Sequence, residues 1–406
     1  MPTIREAQRR HADHYEGKAR AANALYLRGA EGIAQGLGLF DAEWDNIQAG
    51  QQWAAKWSND DDMAAALCSG YSDAAPSILA LRQRPTESVL WLDAALAAAR
   101  RIKNRHREGR HLGELGIVHE QLGSTRLAFH LYEQALAIHR ELQDRRGECI
   151  ALGHLGSTHL TLGETRRANQ YYEEQLAIWH ELKDIPGLAN CYSDLGNVHE
   201  HLGHYTRAVE FYEKAVLIHR RIGNRTGVAA DLGNLGIIYS RLGDVNRAIA
   251  CYKEQLTTSR DLGDRRSEGN ALGNLGIASA VNDDHRSAIE YYEQQLAIAS
   301  ELKDAYAESN ALGNIGFACA NLGNQGAAIN YYERQLEIAK RIGFRRGEAN
   351  ALSNMSLSLS LLRDLGQAIQ HAEAAFKIRE EIGDPEVEKN RQKLKEWKEG
   401  IMEEMG

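Results

Sequence analysis

With 406 residues, 5 prolines against 37 glycines and a formal net charge of −8, the chain reads as helix rather than sheet, and its acidic balance argues against nucleic acid. It has no run of about 18 apolar residues and a polar start, Met1-Pro2-Thr3-Ile4-Arg5, so neither a membrane partner nor a secretory signal is expected. Its cysteines (Cys68, Cys149, Cys191, Cys251, Cys319) are odd in number and lack metal-ligand spacing, and read as reduced packing residues of a cytoplasmic protein.

Residues 1–64 read as an N-terminal helical adaptor or cap, with about two helices over 3–57. The segment Phe40-Asp41-Ala42-Glu43-Trp44-Asp45-Asn46-Ile47-Gln48-Ala49, with Trp53-Ala54, resembles the helical adaptor that precedes repeats in bacterial signalling ATPases of the NB-ARC type. No G-x-x-x-x-G-K-[ST] loop accompanies it, and Gly17-Lys18 alone does not make one. Residues 65–104 form a degenerate repeat, in which Ser88, Leu92 and Leu96 hold the Ala, Tyr and Leu places of the later units. Pro76 stands where a first-helix glycine is due, so a kink or interruption is expected there.

From residue 105 a period of forty runs without a slip through seven units, 105–144, 145–184, 185–224, 225–264, 265–304, 305–344 and 345–384. Its rungs are Leu115-Gly116, Leu155-Gly156, Leu195-Gly196, Leu235-Gly236, Leu275-Gly276, Ile315-Gly316 and Met355-Ser356. Such periods mean a solenoid. In the fifth unit Asp264 caps a first helix over about Ser267–Val281, and Ala288, Tyr292, Leu296 and Ala299 mark a second at helical spacing. Elsewhere Gly123, Gly163, Gly203, Gly243 and Gly323 close the first helix in the left-handed conformation. The fifth unit offers Asn282-Asp283 instead, with Asn the next-best residue. The mid-helix glycines Gly116 to Gly316 cost about 1 kcal/mol each relative to Ala. Their recurrence implies that another helix approaches too closely for a methyl group.

The order Leu235-Gly236-Ile237-Ile238-Tyr239, then Gly243, Ala248 and Tyr252, resembles the tetratricopeptide repeat, whose usual unit is about 34 residues. The resemblance covers 105–384 and implies an all-α solenoid of stacked antiparallel helical hairpins forming a right-handed superhelix. The longer unit is similar to the Pins-type adaptors and, less closely, to kinesin light chains. Gly-Asn-Leu-Gly at Gly233–Gly236 and Gly273–Gly276 is shared with the former. The tail 385–406, with Glu386, Glu388, Lys389, Arg391, Lys393, Lys395 and Glu396, is expected to be a charged helix capping the last hairpin.

In that family the first helices line a concave groove, and the ligand-facing places lie five and one residues before the rung leucine, then two and six after it. They share one helical face. The first two units place Arg110, Glu114, Ile117, Gln121 and Ile150, His154, Ser157, Thr161 there. The third places Asn190, Asp194, Asn197 and His201, and the fourth Ala230, Asn234, Ile237 and Arg241. The fifth places Asn270, Asn274, Ile277 and Val281. The last two place Asn310, Asn314, Phe317, Asn321 and Asn350, Asn354, Leu357, Leu361.

Asparagine is a mediocre helix former, yet it doubles in several units. Its amide donates and accepts, which suits the backbone of an extended peptide. The bland alternative is that duplication copied asparagines that merely tie neighbouring helices together. Pins-type proteins carry Arg at the earlier place, so their acidic preference does not transfer.

Three histidines, His119, His159 and His199, stack in register at the place Tyr239 holds. Successive helices lie about 8–10 Å apart, too far to share a metal at about 2 Å. Neither a nucleophile motif nor HExxH is present. The arginine pairs Arg145-Arg146, Arg265-Arg266 and Arg345-Arg346 offer a basic ridge for phosphates or acidic partners, or are simply solvated. The expectation is therefore a non-enzymatic adaptor with no cofactor and no metal. Its partner is a protein or peptide, an extended segment or a helix in the groove. The alternative is a ligand-sensing regulatory arm related to signalling ATPases that acts on a separate effector. Oligomeric state is not legible.

Overall fold

The computed structural model describes residues 3–385, 387, 388, 391, 392, 394 and 395, and among residues 3–385 its regular elements are twenty α-helices. First come α1 (Ile4–Tyr26), α2 (Ala30–Ala42), α3 (Trp44–Trp57), α4 (Asp62–Ala74), α5 (Pro76–Arg82) and α6 (Pro85–Arg101). Then follow α7 (Arg105–Gln121), α8 (Thr125–Glu141), α9 (Arg145–Thr161), α10 (Thr165–Leu182), α11 (Ile185–His201) and α12 (Tyr205–Arg221). The rest are α13 (Arg225–Arg241), α14 (Val245–Leu262), α15 (Arg265–Val281), α16 (His285–Glu301), α17 (Ala305–Asn321), α18 (Gln325–Ile342), α19 (Arg345–Leu361) and α20 (Leu365–Glu381).

The chain divides into two units, 1–191 and 192–406. In the first, each of α6 to α9 packs on the next helix in sequence. In the second, α12 to α19 do the same. Stacked hairpins are thus the architecture, as the repeat pattern implied. Among the described residues no helix is long and apolar enough to cross a membrane.

Local chemistry explains the regularity. Asn104, Asp144, Asn224, Asp264 and Asp304 each precede a first helix and accept a hydrogen bond from the backbone N–H three residues on. Each such cap contributes about 1 kcal/mol. Gly123, Gly163, Gly203, Gly243 and Gly323 close first helices with φ between +73° and +81°. The fifth unit departs from expectation. Asn282 keeps φ −87° and Asp283, in the glycine's own place, takes the left-handed conformation at φ +58°. The turn keeps its length, so the strained position stays where the glycine was.

The core of each of the first six repeat hairpins is a buried tyrosine: Tyr132, Tyr172, Tyr212, Tyr252, Tyr292 or Tyr332, none more than 3% exposed. Each ring lies on the glycine of its rung, where an added Cβ would fall less than 3 Å from ring atoms. The close approach implied by the glycines is real, but what approaches is a side chain of the partner helix. His159 and His199 stack on Tyr171 and Phe211 of their own hairpins, both at 5.2 Å.

Before the repeats one expectation fails and one, the interruption at Pro76, is met. Residues 3–57 hold three helices rather than two, because Gly29 (φ +94°) and Glu43 (φ −108°) each interrupt the run. Pro76 splits the first helix of the degenerate unit into α4 and α5. Of the expected C-terminal cap, Glu386, Lys389, Lys393 and Glu396 lie outside the described residues, while the guanidinium of Arg391 sits 5.4 Å over the Phe376 ring.

Candidate functional site

In the second unit the first helices α13, α15 and α17 bring Asn234, Asn270, Asn274, Asn310 and Asn314 around one cleft of about 650 Å3, with Ile237 and Ile277 beside them. Asn270 and Asn310 are exposed, and Asn234, Asn274 and Asn314 are half-buried. Asn234 Nδ2 lies 3.5 Å from Asn197 Oδ1, which also accepts a 2.6 Å hydrogen bond from the Tyr212 hydroxyl. Among the described residues, Asn274 and Asn314 make no side-chain hydrogen bond within the protein. The tie between neighbouring helices is therefore present at one step, and weak there.

The remaining expected positions scatter. Phe317 is about half exposed, and Asn321 donates to the Phe317 carbonyl of its own helix at 2.8 Å. Asn350 accepts from Arg379 at 2.9 Å, while Asn354 and Leu357 are half-buried beside it in sequence. Arg241 pairs with Glu200 at 3.3 Å and covers the Tyr205 ring. His201 is exposed. Asp194 holds the ladder place in its repeat, and burial, aided by the charge of Asp231, pushes its carboxyl up to about 7. Asn190 is exposed and belongs to the first unit. There the equivalent face differs in kind: Arg110, Glu114, Ile117, Ile150 and His154 surround a cleft of about 410 Å3. Burial holds the His154 imidazole below its ordinary pKa.

Sequence reasoning missed the floor of the asparagine cleft. Gln255 and Gln295, from the second helices α14 and α16, reach into it beneath Gly233 and Gly273. A Cβ on either glycine would meet the glutamine amide at less than 3 Å. Gly153 and Gly313 meet Gln175 and Gln335 in the same way. The signal was in the chain. Units with serine at the glycine place, Ser193 and Ser353, have alanine opposite, Ala215 and Ala375, while in the first unit Gly113 also faces an alanine, Ala135. The Oε1 atoms of Gln175, Gln255, Gln295 and Gln335 are buried and lack a hydrogen-bond partner. Such orphaned acceptors are rare in native cores.

Most of the basic ridge is engaged, Arg266 being exposed without an ion pair among the described residues. Arg145 donates 2.6 Å hydrogen bonds to Glu148 and to Glu181, and Arg140 reaches Glu148 at 2.9 Å. Arg265 and Arg345 engage Glu268 with Glu301, and Glu348 with Glu381, in the same manner. Arg146 and Arg346 sit 3.2 Å from Asp184 and Asp384. These arginines close their own three hairpins electrostatically. Glu148, its side chain only 6% exposed, anchors two guanidinium groups, so Glu148→Ala is expected to cost about 2 kcal/mol. Urea unfolding measures this, and a loss below about 0.5 kcal/mol would show the network to be ornamental.

Among the described residues, possible metal ligands converge at Asp73, His111 and Glu114, within 4.8 Å of one another. Arg107 and Arg110 lie 3.3 and 3.0 Å from the Asp73 carboxylate, and His111 Nε2 lies 2.9 Å from the Ser69 hydroxyl. Two guanidiniums at the Asp73 carboxylate oppose a metal ion shared by Asp73, His111 and Glu114. The five cysteines are free and buried, and burial pushes the thiols of Cys68 and Cys149 up to about 12.

The model of the tetratricopeptide repeat matches residues 77–141, 147–221, 187–261, 228–301, 267–341 and 307–381. No curated protein matches the chain. Among solved structures, a signal transduction ATPase with numerous domains from Pyrococcus horikoshii, with a tetratricopeptide repeat sensor, is 16% identical with a TM-score of 0.60. The match covers 89% of this chain and 54% of that one, so the chain spans about half of its length. BtubC from P. vanneervenii is 22% identical over 64% of this chain and 93% of its own, with a TM-score of 0.46. A kinesin light chain with nearly identical repeats from Podosopora anserina is 21% identical over 48% and 95%, with a TM-score of 0.42. Tetratricopeptide repeat proteins are generally protein-interaction scaffolds. By its period, its hairpins and this match over most of its length, the chain belongs to the tetratricopeptide repeat family.

Proposed function

We propose that the protein is a non-enzymatic adaptor whose cleft between α13, α15 and α17 captures an extended peptide segment of a partner by its backbone. The observation that carries this reading is the set of uncommitted carboxamides. Asn274 and Asn314 have no partner within the described protein, and Gln255 and Gln295 present buried acceptors beneath them. An extended peptide offers alternating N–H and C=O groups that satisfy both kinds of amide atom, while Ile237 and Ile277 receive alternate side chains. The cleft lining holds no charged side chain, so backbone and apolar contacts, rather than charge, select the occupant.

The test starts from a peptide selected on the full chain from a random display library. The double variant Asn274→Ala/Asn314→Ala is expected to weaken its affinity about thirtyfold, from two lost hydrogen bonds of about 1 kcal/mol each. The melting temperature should stay within about 1 °C, because neither amide supports the fold. Calorimetric affinity equal to that of the unaltered protein would sink the groove reading.

A second reading is a ligand-sensing arm acting on a separate effector. It is favoured by the fold match across 89% of this chain to an ATPase described as carrying a tetratricopeptide repeat sensor.

A further inference from the structure

The degenerate unit holds a cavity that peptide capture does not use. Pro76 has no N–H for the Ser72 carbonyl, and its ring forbids a continuous helix. Accordingly α4 stops at Ala74, and Ala75 takes a non-helical conformation (φ −144°, ψ 53°) before α5 begins. The break leaves a cavity of about 350 Å3 between α4, α5, α6 and α7. Its walls are Leu79, Trp91, Leu92, Ile117 and Val118. Trp91 is fixed from behind, stacked on Trp44 at 5.9 Å and edge-on to Tyr71 at 6.3 Å, so the wall is preformed.

Two polar groups give the cavity a chemistry. Ser72 is 5% exposed, lines the cavity, and its hydroxyl has no hydrogen-bond partner. A buried hydroxyl without a partner is costly unless something arrives to satisfy it. Glu114 is the one ionisable side chain of the lining. Its nearest cation, Arg110, is 3.8 Å away and lies closer, at 3.0 Å, to Asp73; His111 Nδ1 is 3.4 Å off. The carboxylate therefore keeps acceptor capacity toward the cavity. Apolar walls of this volume with a few convergent polar groups are the makeup of a small-molecule site.

We propose that this cavity binds a compact aromatic small molecule bearing one ammonium group. Its body lies against Trp91 and Leu79, and its donor head is satisfied by Glu114 and the Ser72 hydroxyl. The site lies within residues 72–121 and stands or falls apart from the asparagine cleft. It gives the sensing-arm reading a ligand class, and direct binding tests it without any effector.

The experiment titrates the full chain with 4-phenylbutylamine, 4-phenylbutanol and 4-phenylbutyrate, which share a body and differ in charge. Tryptophan fluorescence and calorimetry provide the readouts. The amine is expected to bind at least tenfold tighter than the carboxylate, with the alcohol between them. Glu114→Gln should erase the gap between amine and carboxylate and leave the alcohol unchanged within about twofold. Ala80→Phe, at an exposed rim position, should abolish binding of all three. Ala80→Leu, expected to weaken binding, serves if the larger residue disturbs folding by circular dichroism. The proposal is overturned if the amine shows no saturable binding up to about 10 mM, if the carboxylate binds as well, or if binding survives Ala80→Phe. Competition between the amine and a library-selected peptide would also overturn it, assigning the cavity to a partner's side chain.

Discussion

Gly116→Ala lowers stability by about 1–3 kcal/mol, whereas Gly113→Ala, one turn away in α7, raises it by about 0.5–1 kcal/mol. Both residues are mid-helix glycines, and on propensity alone both substitutions should stabilise. Packing reverses the sign at one of them. A Cβ on Gly113 meets nothing within 4 Å, while one on Gly116 falls less than 3 Å from the Tyr132 ring. That ring cannot step aside cheaply. Its hydroxyl donates to Glu120 at 2.9 Å, and its face stacks on His154 at 4.8 Å and 7°. Moving it forfeits a hydrogen bond and a stacking contact together. Paired chemical denaturation of the two variants reads the difference. Stabilisation by both would mean that the tyrosine yields, and that the recurring rung glycine has no packing role.

At pH 8, Asp231→Asn is expected to stabilise the second unit by about 2 kcal/mol, and the gain should vanish near pH 4. Asp231 is 2% exposed, and burial pushes its carboxyl up to about 7, with the Ser193 hydrogen bond opposing the shift. An unfolded aspartate titrates near 3.9. Between those values the native state binds the proton more tightly than the unfolded chain does. Stability therefore falls as pH rises from about 4 to about 7, and the whole penalty persists above. Asparagine keeps the shape and carries no charge to desolvate. The full shift would give about 4 kcal/mol. His219 Nε2, 3.6 Å from the carboxylate, attracts it whenever protonated and trims that figure, although burial holds this imidazole down. Thermal melts at both pH values decide the matter, with a rise of about 4–8 °C at pH 8 for a unit of this size. An equal shift at both pH values would show that ionisation of Asp231 is not the source.

The repeat was legible because its signals are local. Caps such as Asp264, left-handed glycines such as Gly243, and the spacing of Ala248 and Tyr252 each act within one hairpin. The asparagines of the cleft were legible for the same reason, since a shared helical face follows from spacing alone. Asn350 and Asn321 show the limit. Both satisfy the spacing, yet Arg379 claims one and the Phe317 carbonyl the other. No periodicity states which neighbour a side chain will find.

The arginine pairs mark the same boundary. As sequence they read as a basic surface. In the fold the glutamates that neutralise the first arginine of each pair lie three residues away in the same helix and 36 away at the end of the next. The glutamine floor needed a comparison of glycine with its opposite residue across units, a correlation that single-unit patterns hide.

By itself, then, the sequence determined the repeat helices, their pairing and the family, because cap, turn and period are written within forty residues. Tertiary structure alone decided which amides stay uncommitted, which charges are spent inside, and that Pro76 opens a cavity rather than merely bending a helix. Those outcomes depend on what lies across the interface, and burial there sets both the partner and the pKa.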